Sequence, residues 1–119
     1  MKKIALTALL SSALTLCVAY SVSPAKEITR NVVLENARVQ VTERIMPPGG
    51  VRSPYIRPSD QVIVFVSHAT YERTDPKTGE KIIRKRKAGH VIWHERGENA
   101  PKLVNVGKDP MSSLVIALK

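Results

Sequence analysis

Residues 47–68, PPGGVRSPYIRPSDQVIVFVSH, limit the possible folds more than any other stretch of the chain. Pro47-Pro48-Gly49-Gly50 interrupts regular structure, as Pro and Gly do at a sheet corner. Ser53-Pro54-Tyr55-Ile56-Arg57-Pro58 carries proline too often for a central strand, and Ser59-Asp60 closes it. From Gln61 the chain is apolar on both faces, with Val62, Val64 and Val66 on one and Ile63 and Phe65 on the other. Two apolar faces in a strand mean burial on both sides. The pattern predicts one strand from Gln61 to Tyr71, with Gln61, Ile63, Phe65 and Ser67 sharing a face.

The flanking segments read the same way. Residues 28–45 predict two strands about a turn at Glu35-Asn36, the second alternating through Val39, Val41 and Ile45. Thr74 to Glu80 holds Pro and Gly in turn positions and predicts a hairpin loop. Lys81 to Lys87 follows, and its run Arg84-Lys85-Arg86-Lys87 is the densest charge in the chain. A solvated strand end is the expected reading of that run, and contact with an anionic surface the alternative. Gly89 to His94 gives a turn and a strand, and Glu95 to Pro101 a polar loop. Lys102–Val106 and Ser113–Leu118 are the last strands, joined through Gly107-Lys108-Asp109-Pro110. No segment after residue 25 combines a 3.6-residue period with helix caps. Many short strands with regular turn signals predict an all-β sandwich or barrel.

Residues 1–25 stand apart. Lys2 and Lys3 precede an apolar run from Ile4 to about Val22, and Ser23-Pro24-Ala25 supplies small residues before Lys26. This is the pattern of a secretory signal peptide cleaved after Ala25, so the expected location is periplasmic or secreted. A retained anchor helix is the rival reading, but the run is near the lower limit for spanning and its exit favours cleavage, which leaves no transmembrane span. Leu16 before Cys17, where a small residue is needed, argues against a lipoprotein signal. Without Cys17 the chain has no thiol, neither nucleophile nor metal ligand.

The remaining chain, residues 26–119, is long enough for one domain with a modest core, and a core of that size often gains from dimerising; a homodimer is expected. Removing Lys2 and Lys3 lowers the net charge from +9 to +7. Such a charge draws polyanions without naming one. Few aromatics, no basic helix and the export signal argue against nucleic acid.

The spacing from Gly49 carries a family resemblance. The first motif of small cupins runs G, five residues, H, one residue, H, three or four residues, E, six residues, G. Here those positions fall on Gly49, Tyr55, Arg57, Gln61 and His68. The second motif is similar to Gly89 through Gly97, with Glu95 in place of its proline. Asn105 matches its asparagine if one residue is inserted, and its histidine position falls on Pro101, or on Ala100 without the insertion. Residues 31–119 thus resemble a cupin, which implies a jelly-roll β-barrel. The resemblance also implies a divalent metal held by imidazoles and a carboxylate, and every such position here is chemically changed. No metal and no other cofactor is therefore expected.

Relocated chemistry has few candidates. A metal needs three or four N or O ligands converging within about 2.0–2.3 Å. His90 and His94, in a strand, stand about 13 Å apart. His68 with either of them requires a coincidence of fold. Acid–base chemistry, as in some metal-free cupins, could use Tyr55 with His68 or His94. If Tyr55, Arg57, Gln61, Trp93 and Asn105 face inward, they form a pocket with a cation, amides and aromatic surface, suited to a small anionic or hydroxylated ligand. The expected function is a metal-free, non-catalytic binder of such a ligand. A packed dimeric scaffold, or an enzyme with a relocated site, are the alternatives.

Overall fold

The computed structural model describes residues 26–119; the expected signal peptide lies outside them. Eleven strands follow in chain order: β1 (Thr29–Glu35), β2 (Val39–Met46), β3 (Val51–Arg52), β4 (Tyr55–Ile56), β5 (Gln61–Phe65), β6 (Ala69–Thr74), β7 (Lys81–Arg86), β8 (Val91–His94), β9 (Asn99–Ala100), β10 (Lys102–Asn105) and β11 (Met111–Leu118). They form a five-stranded sheet in the order β1-β2-β11-β5-β8, a four-stranded sheet β3-β10-β6-β7, and the pair β4-β9. Every pairing is antiparallel. The all-β jelly-roll expectation holds. No helix among the described residues is long and apolar enough to cross a membrane.

Local chemistry places the turns. Asn36 Oδ1 accepts from the backbone N–H of Arg38 and of Val39 at 2.8 and 3.0 Å, which closes the β1–β2 hairpin. Asp75 Oδ1 does the same for Lys77 and Thr78 between β6 and β7.

The strand expected from Gln61 to Tyr71 is instead two. The chain leaves the five-stranded sheet after Phe65 and enters the four-stranded sheet at Ala69. The corner is held by Ser112, whose carbonyl accepts from the N–H of Val66 and Ser67 and whose N–H donates to Ser67 Oγ. Val66 continues the apolar alternation in sequence but is 52% exposed at this corner. Alternation cannot see a change of sheet. The short strands β3, β4 and β9 were not expected either. Each is two residues long, below the span over which alternation can be read.

The inner faces of the two larger sheets meet. Met46, Ile63, Phe65 and Met111 come from the five-stranded sheet, Ala69 and Tyr71 from the four-stranded one. The Phe65 and Tyr71 rings stack across the gap with centroids 6.2 Å apart. Gln61, Ile63 and Phe65 share the buried face of β5, as their spacing predicts.

Candidate functional site

Between the sheets lies a cavity of about 210 Å³. Its lining follows from strand parity. Because β5 turns Gln61, Ile63 and Phe65 inward, their partners Ser113 on β11 and Ile92 on β8 turn inward too, and Arg44 of β2 lies opposite Ser113. In the other sheet Leu103 lies between Arg52 and Arg73, and Tyr71 opposite Arg84. Arg44, Arg52, Arg57, Arg73, Arg84 and Arg86 all line the cavity. They are six of the nine arginines in residues 26–119; none of the eight lysines there joins them. The only carboxylate on the lining is Glu98. A general excess of positive charge would place both residue types there. Arginine alone offers a planar fork for carboxylate or phosphate, and is the cheaper cation to strip of water.

Arg57 is the centre of the arrangement. Its backbone N–H donates to the Glu98 carbonyl at 3.0 Å, and its carbonyl accepts from Gly97 N–H at 2.9 Å. The turn that allows this has Gly97 at φ 85°, a conformation glycine adopts without strain. The side chain is 2% exposed. Its Nη1 donates to Gln61 Oε1 at 3.2 Å and lies 3.4 Å from the Tyr55 hydroxyl. Arg52, 4% exposed, lies over the same tyrosine ring at 5.4 Å and donates through Nη2 to the Pro101 carbonyl. The Nε of Arg52 and of Arg57 are buried and meet no hydrogen-bond partner among the described residues. Burial holds both guanidinium pKa values below the usual range, that of Arg52 at about 10, where the nearby charge of Arg44 adds to the effect. Arg44 is lowered by burial and partly restored by Tyr55.

His94 and Glu98 form the second polar element. Glu98 Oε2 accepts from His94 Nδ1 at 3.0 Å, and Glu98 Oε1 accepts from the Glu95 N–H at 3.1 Å. A carboxylate only accepts, so the proton of neutral His94 sits on Nδ1 and Nε2 keeps its lone pair. Burial lowers the His94 pKa, the Glu98 hydrogen bond opposes this, and Arg57 and Arg52 reinforce it. Glu98 is lowered first by the Glu95 N–H and then by His94.

Tyr55, Arg57 and Gln61 thus come together, as their spacing suggests. Neither Tyr55 nor Gln61 is on the lining; Gln61 reaches the cavity through Arg57, and Tyr55 through Arg57 and Arg52. Trp93 is not part of this group. Pairing of Val62 with Trp93 and of Gln61 with His94 turns Trp93 to the outer face, where it is 51% exposed, and turns His94 inward. Asn105 is buried but away from the lining. Its Nδ2 donates to the carbonyls of Met46 and Asp109, and its Oδ1 accepts from Gly107 N–H, so its amide is spent closing one end of the barrel. The run Arg84–Lys87 is not one surface. Alternation directs Arg84 and Arg86 to the cavity and leaves Lys85 off its lining. Arg86 Nε donates to the Tyr71 hydroxyl at 3.3 Å. Arg44, Arg52 and Arg73 were not singled out by the sequence reading.

The residues present do not fit the divalent ion that the resemblance implies. The positions corresponding to its ligands do gather, with Tyr55 paired to Ala100 and Pro101 on the lining. They converge on a guanidinium, which repels a cation. Among the described residues no three His, Cys, Asp or Glu side chains cluster. His68 and His90 are exposed, and His68 Nδ1 accepts from Ala88 N–H.

No protein-family model matches the chain, and no curated protein does. Solved structures do. A cupin domain from Bordetella pertussis superposes with a TM-score of 0.70 at 21% identity, over 82% of this chain and 98% of that one. A protein from Klebsiella pneumoniae with a double-stranded β-helix domain gives 0.59 at 26% identity, over 84% and 85%. A polyketide cyclase from Streptomyces resistomycificus gives 0.64 at 22% identity, over 79% and 66%. A likeness of this extent at such low identity resides in the backbone, and by it the chain has the fold of the cupin superfamily, the double-stranded β-helix.

Proposed function

We propose that this cupin-fold protein is exported and is a metal-free, non-catalytic binder of a small anion, held between the two sheets. One observation carries the reading: Arg52 and Arg57 are more than nine-tenths buried, line a cavity with a single carboxylate, and each keeps an Nε without a partner. Buried charges are costly unless paired. An anion in the cavity supplies the pairing and converts that cost into affinity. The cyclase among the structural neighbours is an enzyme by its name, and the fold it shares decides nothing about chemistry here.

The test is calorimetric titration of the purified protein with inorganic phosphate and with sulfate. Binding is expected, weakened by salt. Arg57→Ala should abolish it while circular dichroism stays that of the parent; Arg52→Ala should weaken it. At a hundred times its Kd an anion should stabilise the fold by about 2.7 kcal/mol, roughly an 11–20 °C rise in Tm for a domain of this size. Unchanged affinity in Arg57→Ala would remove the assignment.

A second reading rests on His94 and Glu98. A neutral imidazole oriented by a carboxylate on the wall of an anion cavity is equipped for proton transfer. Solvent deuterium exchange into a bound carboxylic acid at a position next to its carboxylate, lost in His94→Gln, would favour it.

A further inference from the structure

The cavity's charges also bear on the class of anion, and the step rests on the proposed anion site. The six arginines fall into two groups. Arg52 and Arg57 flank the Tyr55 ring at 5.4 and 5.8 Å, and Arg44 is close enough to both to depress their guanidinium charge or share in its depression. Arg73, Arg84 and Arg86 stand on the β6–β7 hairpin. In the order β3-β10-β6-β7, three strand spacings separate Arg52 from Arg84, about 14 Å at the backbone.

The lining holds six guanidinium groups against one carboxylate. That carboxylate, Glu98, already receives His94 and the Glu95 N–H. A single negative charge seated by the first group leaves the hairpin arginines with water but no anion to face. Two charges at the two ends of one molecule satisfy both. Between the groups the opposite wall is apolar, with Ile63, Phe65, Ile92 and Met111, and suits a carbon frame. A cavity of 210 Å³ holds about seven waters' worth of volume, hence a molecule on the order of ten non-hydrogen atoms, below the usual size of drug-like ligands.

We propose that the ligand is a compact dianion with two separate acidic groups, carboxylate or phosphate, joined by a short carbon frame. Arg52, Arg57 and Arg44 hold one group, Arg73 and Arg84 the other, and the frame lies along Ile63 and Ile92.

The experiment compares anions of equal length with one and two acidic groups, by calorimetric titration of the purified protein. Glutarate is set against valerate, and phosphonoacetate against ethylphosphonate. Glutarate should bind one per chain and about ten- to a hundredfold tighter than valerate, the worth of one further charged contact. Arg84→Ala, an exposed position at the cavity margin, should erase that advantage and bring glutarate down to about the affinity of valerate. Where each two-acid probe outbinds its one-acid counterpart the two-point geometry stands, and the tighter of glutarate and phosphonoacetate names the second acidic group. Equal affinities for glutarate and valerate, or two valerates bound per chain, would overturn the dianion while leaving the anion site in place. Binding of none of the four probes would overturn both.

Discussion

The two walls of the barrel obey different rules. The five-stranded wall presents Met46, Ile63, Phe65, Ile92 and Met111 to the interior, with Arg44 its one arginine. The four-stranded wall presents Arg52, Arg73, Arg84 and Arg86, relieved by Tyr71 and Leu103. Both alternate with a period of two. On the first the inward residues are those a core requires; on the second they are charges that a core excludes. Local rules broken along one wall and kept along the other divide the labour of the molecule. The apolar wall stabilises the fold, and in the proposed reading the cationic wall gives up stability for an anion.

That division is most exposed to a cut in the apolar wall. Phe65 is buried and stacks on Tyr71. Phe65→Ala should cost about 3–5 kcal/mol, from lost transfer energy and the void left behind, read as a fall in the denaturant midpoint at unchanged slope. Arg84→Ala, on the opposite wall, should change stability without ligand by no more than about 0.5 kcal/mol. Equal costs at the two positions would mean that the cationic wall is also structural, and the contrast would fail.

The sequence discloses one wall far better than the other, for a physical reason. Alternation of apolar residues marks the inner face of β5 because water expels that face, so Gln61, Ile63 and Phe65 could be placed together, and Gln61 brought Arg57 and Tyr55 with it. An inward arginine leaves no such mark: Tyr71, Arg73 and Ile82, Arg84, Arg86 read as ordinary strands with a solvated side. Trp93 and His94 differ by one position, and only the pairing of His94 with Gln61 decides which faces in. Asn105 matched a motif position, yet its surroundings consume its amide within the backbone.

A smaller effect tests whether the cavity's charge reaches His94. Its pKa in the fold lies below the ordinary 6.5. Between those values the unfolded chain binds more protons than the folded one, so stability falls as pH drops through about 6.5. Glu98 is also lowered, and its contribution is lost further down, as pH falls through the carboxylate range. The loss near pH 6.5 should be modest, since the His94 side chain is 25% exposed. His94→Gln should remove that step from a Tm series between pH 8 and 5. Saturating glutarate should shrink it in the parent, because a bound anion favours the imidazolium and raises its pKa. A step that survives His94→Gln would detach His94 from the cavity.

The sharpest form of the comparison is also the one with the smallest expected change. Arg84 and Lys85 are adjacent on β7, carry the same charge, and both are exposed. Net charge treats them as equal. Strand geometry does not, since Arg84 lies on the cavity lining and Lys85 does not. If the cavity binds through placed guanidinium groups, Lys85→Ala should leave glutarate affinity within about twofold, the scale of a distant screened charge, while Arg84→Ala costs the full second contact. Equal losses from the two substitutions would show that glutarate responds to the positive field of the whole strand. The alternation of Arg84 and Lys85 would then have no bearing on binding.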